Sequence, residues 1–206
     1  MIEFVINFIV SVISALSYWG VFILTAMESM ALPMPTEILM PLVGSLVASG
    51  QFNLLAVSLI SALGALFGSL LSYIIGQWLG RKFILKYGKY ILLDKQHLLW
   101  TEKWFKRKGE KTIFISRFIP IVKHIISIPA GIGQMNIFKF SAYTLLGAGI
   151  WNVLLIFLGM ALEQQWGLVH NYYIYLEIVA ALLIISLIVY FYISRVNGKK
   201  PKKKRK

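Results

Sequence analysis

The sequence predicts an all-α polytopic membrane protein with about four spanning helices, two oppositely oriented re-entrant helical hairpins and an interfacial amphipathic helix. Three observations carry that expectation. Of 206 residues, 58% are hydrophobic and the mean hydropathy is +0.74, more apolar sequence than a soluble core of this size requires. Four apolar runs, 4–26, 54–79, 138–161 and 174–194, are long enough to cross a hydrocarbon core of about 30 Å. Two more, 28–50 and 111–137, are equally apolar but carry charges and are interrupted by proline and glycine. Bilayers tolerate non-helical backbone where protein or a cavity covers it, so these two are read as hairpins.

In chain order, the first run has no basic stretch before it and no small-residue cleavage site after it, so 4–26 is expected to be a retained helix rather than a signal peptide. In ESMALPMPTEILMP (28–41), Pro33 and Pro35 stop the helix, and Thr36 is placed to cap a new one starting at Glu37. From Thr36 to Ser49 that helix extends roughly 21 Å, short of a full crossing. Within 54–79, Gly64, Gly68, Ser72, Gly76 and Gly80 recur every four residues and form a ridge that lets other helices approach closely. Segment 81–110 mixes Lys and Arg with aromatic residues. Trp100 and Trp104 share one face, the pattern of an amphipathic helix lying at the headgroup level. The second broken run, KTIFISRFIPIVKHIISIPAGIGQMNI (111–137), holds Arg117, Lys123 and His124 among the breakers Pro120, Pro129, Gly131 and Gly133.

The formal charge of +13 is concentrated: ten Lys/Arg lie in 81–111 and seven in 199–206. Such clustering marks cytoplasmic flanks rather than a nucleic-acid surface, so no nucleic-acid partner is expected. Two helices separate residue 137 from the basic tail. Residues 111 and 137 therefore lie on the same side, and 111–137 enters and leaves by one face. This topology predicts a single membrane transport domain over 1–198, a basic cytoplasmic tail at 199–206, and both termini in the cytoplasm. There are no cysteines, and His97, His124 and His170 are far apart with no HExxH spacing, so no metal or other cofactor is expected. No GxSxG elbow is present, and Ser116 beside Arg117 has no identifiable base, so the chain does not read as an enzyme.

A charge at membrane depth costs roughly 2.5–3.5 kcal/mol on insertion scales, and such residues mark functional sites by default. Arg117 is the strongest substrate-binding candidate, because guanidinium stays charged and matches phosphate geometry. Lys123 is the second. Glu28 and Glu37 suit proton coupling: a carboxylate that changes partner can load and release a proton. The expected exchange is that an anionic phosphate displaces a glutamate from Arg117. His124 is secondary, as a proton shuttle or a packing residue.

At these residues the sequence resembles the DedA family of bacterial membrane proteins, whose shared region is also called the VTT or SNARE-associated domain. The matching pieces are Glu28 followed by LPMPTE (32–37), Phe105 and Gly109, and FISRFIPIVK (114–123) running into IPAGIGQM (128–135). The resemblance covers most of residues 10–165. It implies two opposed re-entrant hairpins and ion-coupled movement of lipid across the bacterial plasma membrane. The family includes translocases for undecaprenyl phosphate and for phosphatidylethanolamine. Its two membrane-embedded acids fall on Glu28 and Glu37 and its first arginine on Arg117. Its second falls on Lys123, where lysine keeps the charge but lacks the planar fork. The function expected is a flippase for an anionic lipid phosphate, undecaprenyl phosphate foremost, coupled to protons, with membrane lipids as partners and a homo-oligomer left open. The alternatives are a phosphatidylethanolamine or general phospholipid translocase or scramblase and, from other classes, an intramembrane lipid-phosphate enzyme or an assembly scaffold.

Overall fold

Polarity in this fold is arranged inside out. In the computed structural model, which describes residues 2–30, 36–80 and 95–162, the long apolar helices turn Leu55, Leu59, Leu63, Phe67, Leu146, Ile150, Leu154 and Phe157 outward. Ser61, Ser69, Ser72, Thr144 and Asn152 are buried. Water would favour the reverse, whereas lipid favours this arrangement. The helices, in order, are α1 (Ile2–Leu16), α2 (Tyr18–Ser29), α3 (Thr36–Ala48), α4 (Leu54–Ile75, continued by a π-helical turn at Gly76–Gly80), α5 (Lys95–Ser116), α6 (Pro120–Ile125), α7 (Ser127–Ile132) and α8 (Ile137–Leu162). All lie in one compact unit, Met1–Glu163. The expected helix at 174–194, the basic tail, Pro33, Pro35 and the first part of 81–110 lie outside the described residues.

Among the described residues two helices are long and apolar enough to cross a membrane, Leu54–Gly80 with 27 residues and Ile137–Leu162 with 26. They match the expected runs 54–79 and 138–161. The expected continuous helix over 4–26 is instead broken at Ser17, where φ is 51°. Gly20 then packs so closely on the preceding helix that a Cβ there would lie 2.7 Å from the Val12 carbonyl oxygen. Hydrophobicity alone gave no sign of this break. With it, α1 extends only about 22 Å by itself.

Helices α2 and α3 form a hairpin. At one end the Tyr18 and Phe52 rings are 4.7 Å apart, and the Asn53 amide donates to the Tyr18 hydroxyl at 2.8 Å. At the other end Glu28 and Glu37 meet on a single ammonium group, described below. The first limb runs parallel to α4: Gly64 faces Phe22 and Thr25, Gly68 faces Ala26, and Ser72 Oγ donates to the Ser29 carbonyl at 3.3 Å. The second limb crosses α8, where Gly44 and Gly159 interlock with the opposing backbones. Pro41 lies inside α3, and its missing N–H leaves the Glu37 carbonyl without its usual helical donor.

A second hairpin approaches from the opposite end of α4. Its first limb is α5, which continues unbroken past 110 to Ser116, so the expected interfacial helix and the start of the expected hairpin are one element. Trp100 and Trp104 stack at 5.4 Å on its exposed surface. The limbs meet where Phe105 packs on Gly133 and Gly109 on Met135. Pro120 opens α6 at the first helical position, and it follows the turn at 117–119. Pro129 and Gly131 follow the junction at Ile126 that separates α6 from α7. They sit inside α7, where proline's missing N–H is one of the unpaired groups of a first turn. Gly131 serves contact instead, since a Cβ there would lie 2.0 Å from the Tyr73 carbonyl oxygen.

The small-residue ridge of α4 thus seats both hairpins. Gly64, Gly68 and Ser72 take the first, while Gly76 (against Ile128) and Gly80 (against Ile132) take the second.

Candidate functional site

The two hairpin ends meet at the buried Lys123. Its Nζ lies 2.9 Å from Glu37 Oε1 and 3.3 Å from Glu28 Oε1. Glu28 is the last residue but one of α2, and Glu37 the second of α3, so the first hairpin's end presents both acids together. Side-chain exposure separates them, 5% for Glu28 against 34% for Glu37. The indole of Trp151 on α8 lies beside the same ammonium, 5.9 Å from ring centre to Nζ. His124 Nδ1 is 3.1 Å from the Glu28 carbonyl oxygen and 3.9 Å from its carboxylate.

Arg117 stands behind this bridge, fully packed. It donates to Ser69 Oγ on α4 at 3.1 Å, Thr144 Oγ1 on α8 at 3.0 Å, Ser127 Oγ on α7 at 3.4 Å and the Lys123 carbonyl at 3.3 Å. Gly147 leaves room for its aliphatic stem, since a Cβ there would be 2.9 Å from Arg117 Cγ. Three hydroxyls and one carbonyl, from four elements, therefore hold the guanidinium. The glutamates pair with Lys123, whereas the expected exchange put a glutamate on Arg117.

A cavity of about 20 Å³ lies among these groups, lined by Thr25, Glu28, Ser29, Ala65, Arg117, Lys123, His124, Ala148, Trp151 and Asn152. Ala65 is the twelfth residue of Leu54–Gly80 and Ala148 the twelfth of Ile137–Leu162, so the cavity sits near the middle of both long helices. A much larger cleft, about 730 Å³, opens at the base of the second hairpin and is lined by Lys106, Arg107, Lys108, Lys111 and Lys139 with Glu110. Among the described residues no group of three His, Cys, Asp or Glu side chains is placed to hold a metal ion.

Sequence reasoning singled out the five ionisable groups here but missed Ser69, Ser127, Thr144, Trp151 and Asn152. A signal for three of them was present. Thr144, Ala148, Trp151 and Asn152 follow helical spacing, a polar stripe inside an otherwise apolar run.

Comparison with known proteins agrees with the motif reading. The VTT domain model matches residues 34–161, which include Glu37, Arg117, Lys123, Trp151 and Asn152. The chain belongs to the VTT-domain, or DedA, family. Similar VTT-family proteins include undecaprenyl phosphate transporter A of Bacillus subtilis (strain 168), 36% identical over 78% of this chain and 82% of that protein. The protein of the same name from Staphylococcus aureus (strain NCTC 8325 / PS 47) is 33% identical over 91% of this chain and 95% of its own. A Lactococcus lactis subsp. lactis (strain IL1403) relative named alkaline phosphatase-like protein is 30% identical over 89% of this chain and 90% of its own. No solved structure matches the chain. Family membership and the two long apolar helices together place this VTT-family chain in a membrane.

Proposed function

We propose that this protein carries an anionic lipid phosphate, undecaprenyl phosphate, across the bacterial plasma membrane, and that proton uptake by Glu28 and Glu37 accompanies loading. The observation that carries the proposal is the bridge from Lys123 to two carboxylates of the opposite hairpin, beside a buried arginine and halfway along both long helices. Two cations, Arg117 and Lys123, face two carboxylates, so with His124 neutral the cluster has a net charge of zero. A phosphate monoester brings a charge of about −1.5 to −2 at neutral pH. An uncompensated charge in such a site costs several kcal/mol, so phosphate enters only if one or two protons enter with it. Phosphate takes Lys123, the glutamates let go, and an unpaired carboxylate in a dry cavity takes a proton rather than stay charged. Arg117, held in place, stays behind as the fixed cation.

In this reading both hairpins are re-entrant and open to opposite faces, the inverted arrangement that puts a carrier's site near the midplane. The ten Lys/Arg of 81–111 set the second hairpin's base in the cytoplasm. The 730 Å³ basic cleft at that base then gathers anionic headgroups before they reach the centre. The names of the Bacillus and Staphylococcus relatives support undecaprenyl phosphate as cargo.

Purified protein in liposomes with labelled undecaprenyl phosphate tests this. Leaflet exchange of intact lipid, faster with an imposed proton gradient, is expected. Release of inorganic phosphate would make the protein an enzyme, as the Lactococcus relative's name suggests for that protein. Exchange of phosphatidylethanolamine in place of the anionic lipid would reassign the cargo.

A further inference from the structure

Among the described residues, three buried side-chain nitrogens lack a hydrogen-bond partner: Arg117 Nε, Trp151 Nε1 and Asn152 Nδ2. All three residues line the same 20 Å³ cavity. Buried polar groups are satisfied in more than nine cases in ten, so three unmet donors around one cavity call for a common acceptor. Tryptophan offers a donor and nothing else, and so does guanidinium. The asparagine amide adds N–H groups of its own. A site surrounded by donors, with Lys123 beside it, is built for an oxyanion.

We propose that Trp151 and Asn152, with Arg117 Nε, form the phosphate receptor of the carrier, a deepening that rests on the transport reading above. An ordered water needs roughly 10–15 Å³, so the cavity as it stands admits about one water and no phosphate. The structure is therefore the closed, unloaded arrangement. When Glu28 and Glu37 release Lys123, the space their carboxylates fill becomes available. The phosphate oxygens then accept from Arg117, Asn152 and Trp151, while Lys123 supplies the second positive charge. Ser69, Ser127 and Thr144 keep the guanidinium aimed throughout. Trp151 is further fixed by an edge contact with Phe118, ring centres 6.0 Å apart, so its N–H needs no rearrangement to serve.

Receptor and packing roles predict opposite thermal behaviour. Removing a buried donor that has no partner is neutral or stabilising, whereas removing a structural contact destabilises. Trp151→Phe and Asn152→Leu are therefore expected to melt at or above the parent temperature without lipid. Both should still weaken binding and raise the apparent KM for undecaprenyl phosphate in liposomes about ten- to a hundredfold, the loss of one hydrogen bond to a charged group. Asn152→Asp adds a buried carboxylate beside a cluster already at zero net charge, so it should melt no higher than the parent and move little lipid. Binding is read as the rise in melting temperature of the detergent-solubilised full chain on adding undecaprenyl phosphate, with undecaprenol as the phosphate-free control. The parent is expected to respond to the first and not the second. If the parent responds and the three variants bind and transport like it, or Trp151→Phe and Asn152→Leu melt lower, the receptor assignment is overturned while the carrier reading stands. If the parent responds to neither undecaprenyl phosphate nor phosphatidic acid, the carrier reading fails and takes this inference with it.

Discussion

The two hairpins are built alike and charged oppositely. Each has helical limbs seated on small residues of α4, and each ends among the groups that line the central cavity. The first contributes Glu28 and Glu37, the second Arg117, Lys123 and His124. The larger difference is how the charges are held. Arg117 is fixed by hydroxyls and a carbonyl from four elements, none of these groups charged. Glu28 and Glu37 share one flexible lysine, a partner that an incoming anion can take over. In the proposed carrier the second hairpin holds a permanent anchor, and the joint between the hairpins serves as a latch.

Anchor and latch respond differently to mutation. The largest effect is expected from Arg117→Ala: transport in liposomes falls more than a hundredfold and stability by about 3–5 kcal/mol, the cost of removing one member of a buried charge network. Near-parental exchange in that variant would deny the anchor. Next come Gly68→Val, whose new Cβ would lie 2.0 Å from the Ala26 carbonyl oxygen of the first hairpin, and Gly131→Val, whose Cβ on the second hairpin would lie 2.0 Å from the Tyr73 carbonyl oxygen of α4. Each should lower stability by about 1–3 kcal/mol in detergent melts, and tolerance of either would show that its hairpin is not seated on α4. Glu28→Gln should flatten the pH dependence of transport and slow it about tenfold. Glu37→Gln should do less, because its side chain is 34% exposed and solvent screens it. Equal effects would remove the distinction between the two acids. The smallest effect belongs to Glu110, at the base of the second hairpin, where Lys139 and Tyr143 hydrogen bonds hold its carboxyl below the usual 4.5. A depressed pKa adds stability above the ordinary value that is lost as pH falls through the folded one. Glu110→Gln should therefore melt slightly below the parent at pH 7, and the gap should close below about pH 4.5. A gap that widened in acid would contradict the assignment.

Much of the site was legible in the sequence because charge in lipid is conspicuous. Glu28, Glu37, Arg117, Lys123 and His124 stood out in apolar runs, and the parity of the basic segments brought 111 and 137 to one side. Pairing was not legible. Whether a carboxylate reaches arginine or lysine depends on side-chain geometry across two hairpins, and the hydroxyls that occupy Arg117 come from residues ordinary enough to pass as packing. The break at Ser17 escaped for a similar reason. No proline or glycine marks it, and a serine at positive φ is a tertiary outcome.

The most direct test is a double-mutant cycle across the joint, Lys123→Met with Glu28→Gln, read by thermal unfolding of the full chain. Lys123→Met alone leaves two carboxylates beside a cavity with one cation fewer, and neutralising Glu28 should relieve part of that. The pair should be more stable than Lys123→Met alone, with a coupling energy of about 0.5–3 kcal/mol. Losses that simply add, within about 0.5 kcal/mol, would mean the hairpins do not meet at this ion pair.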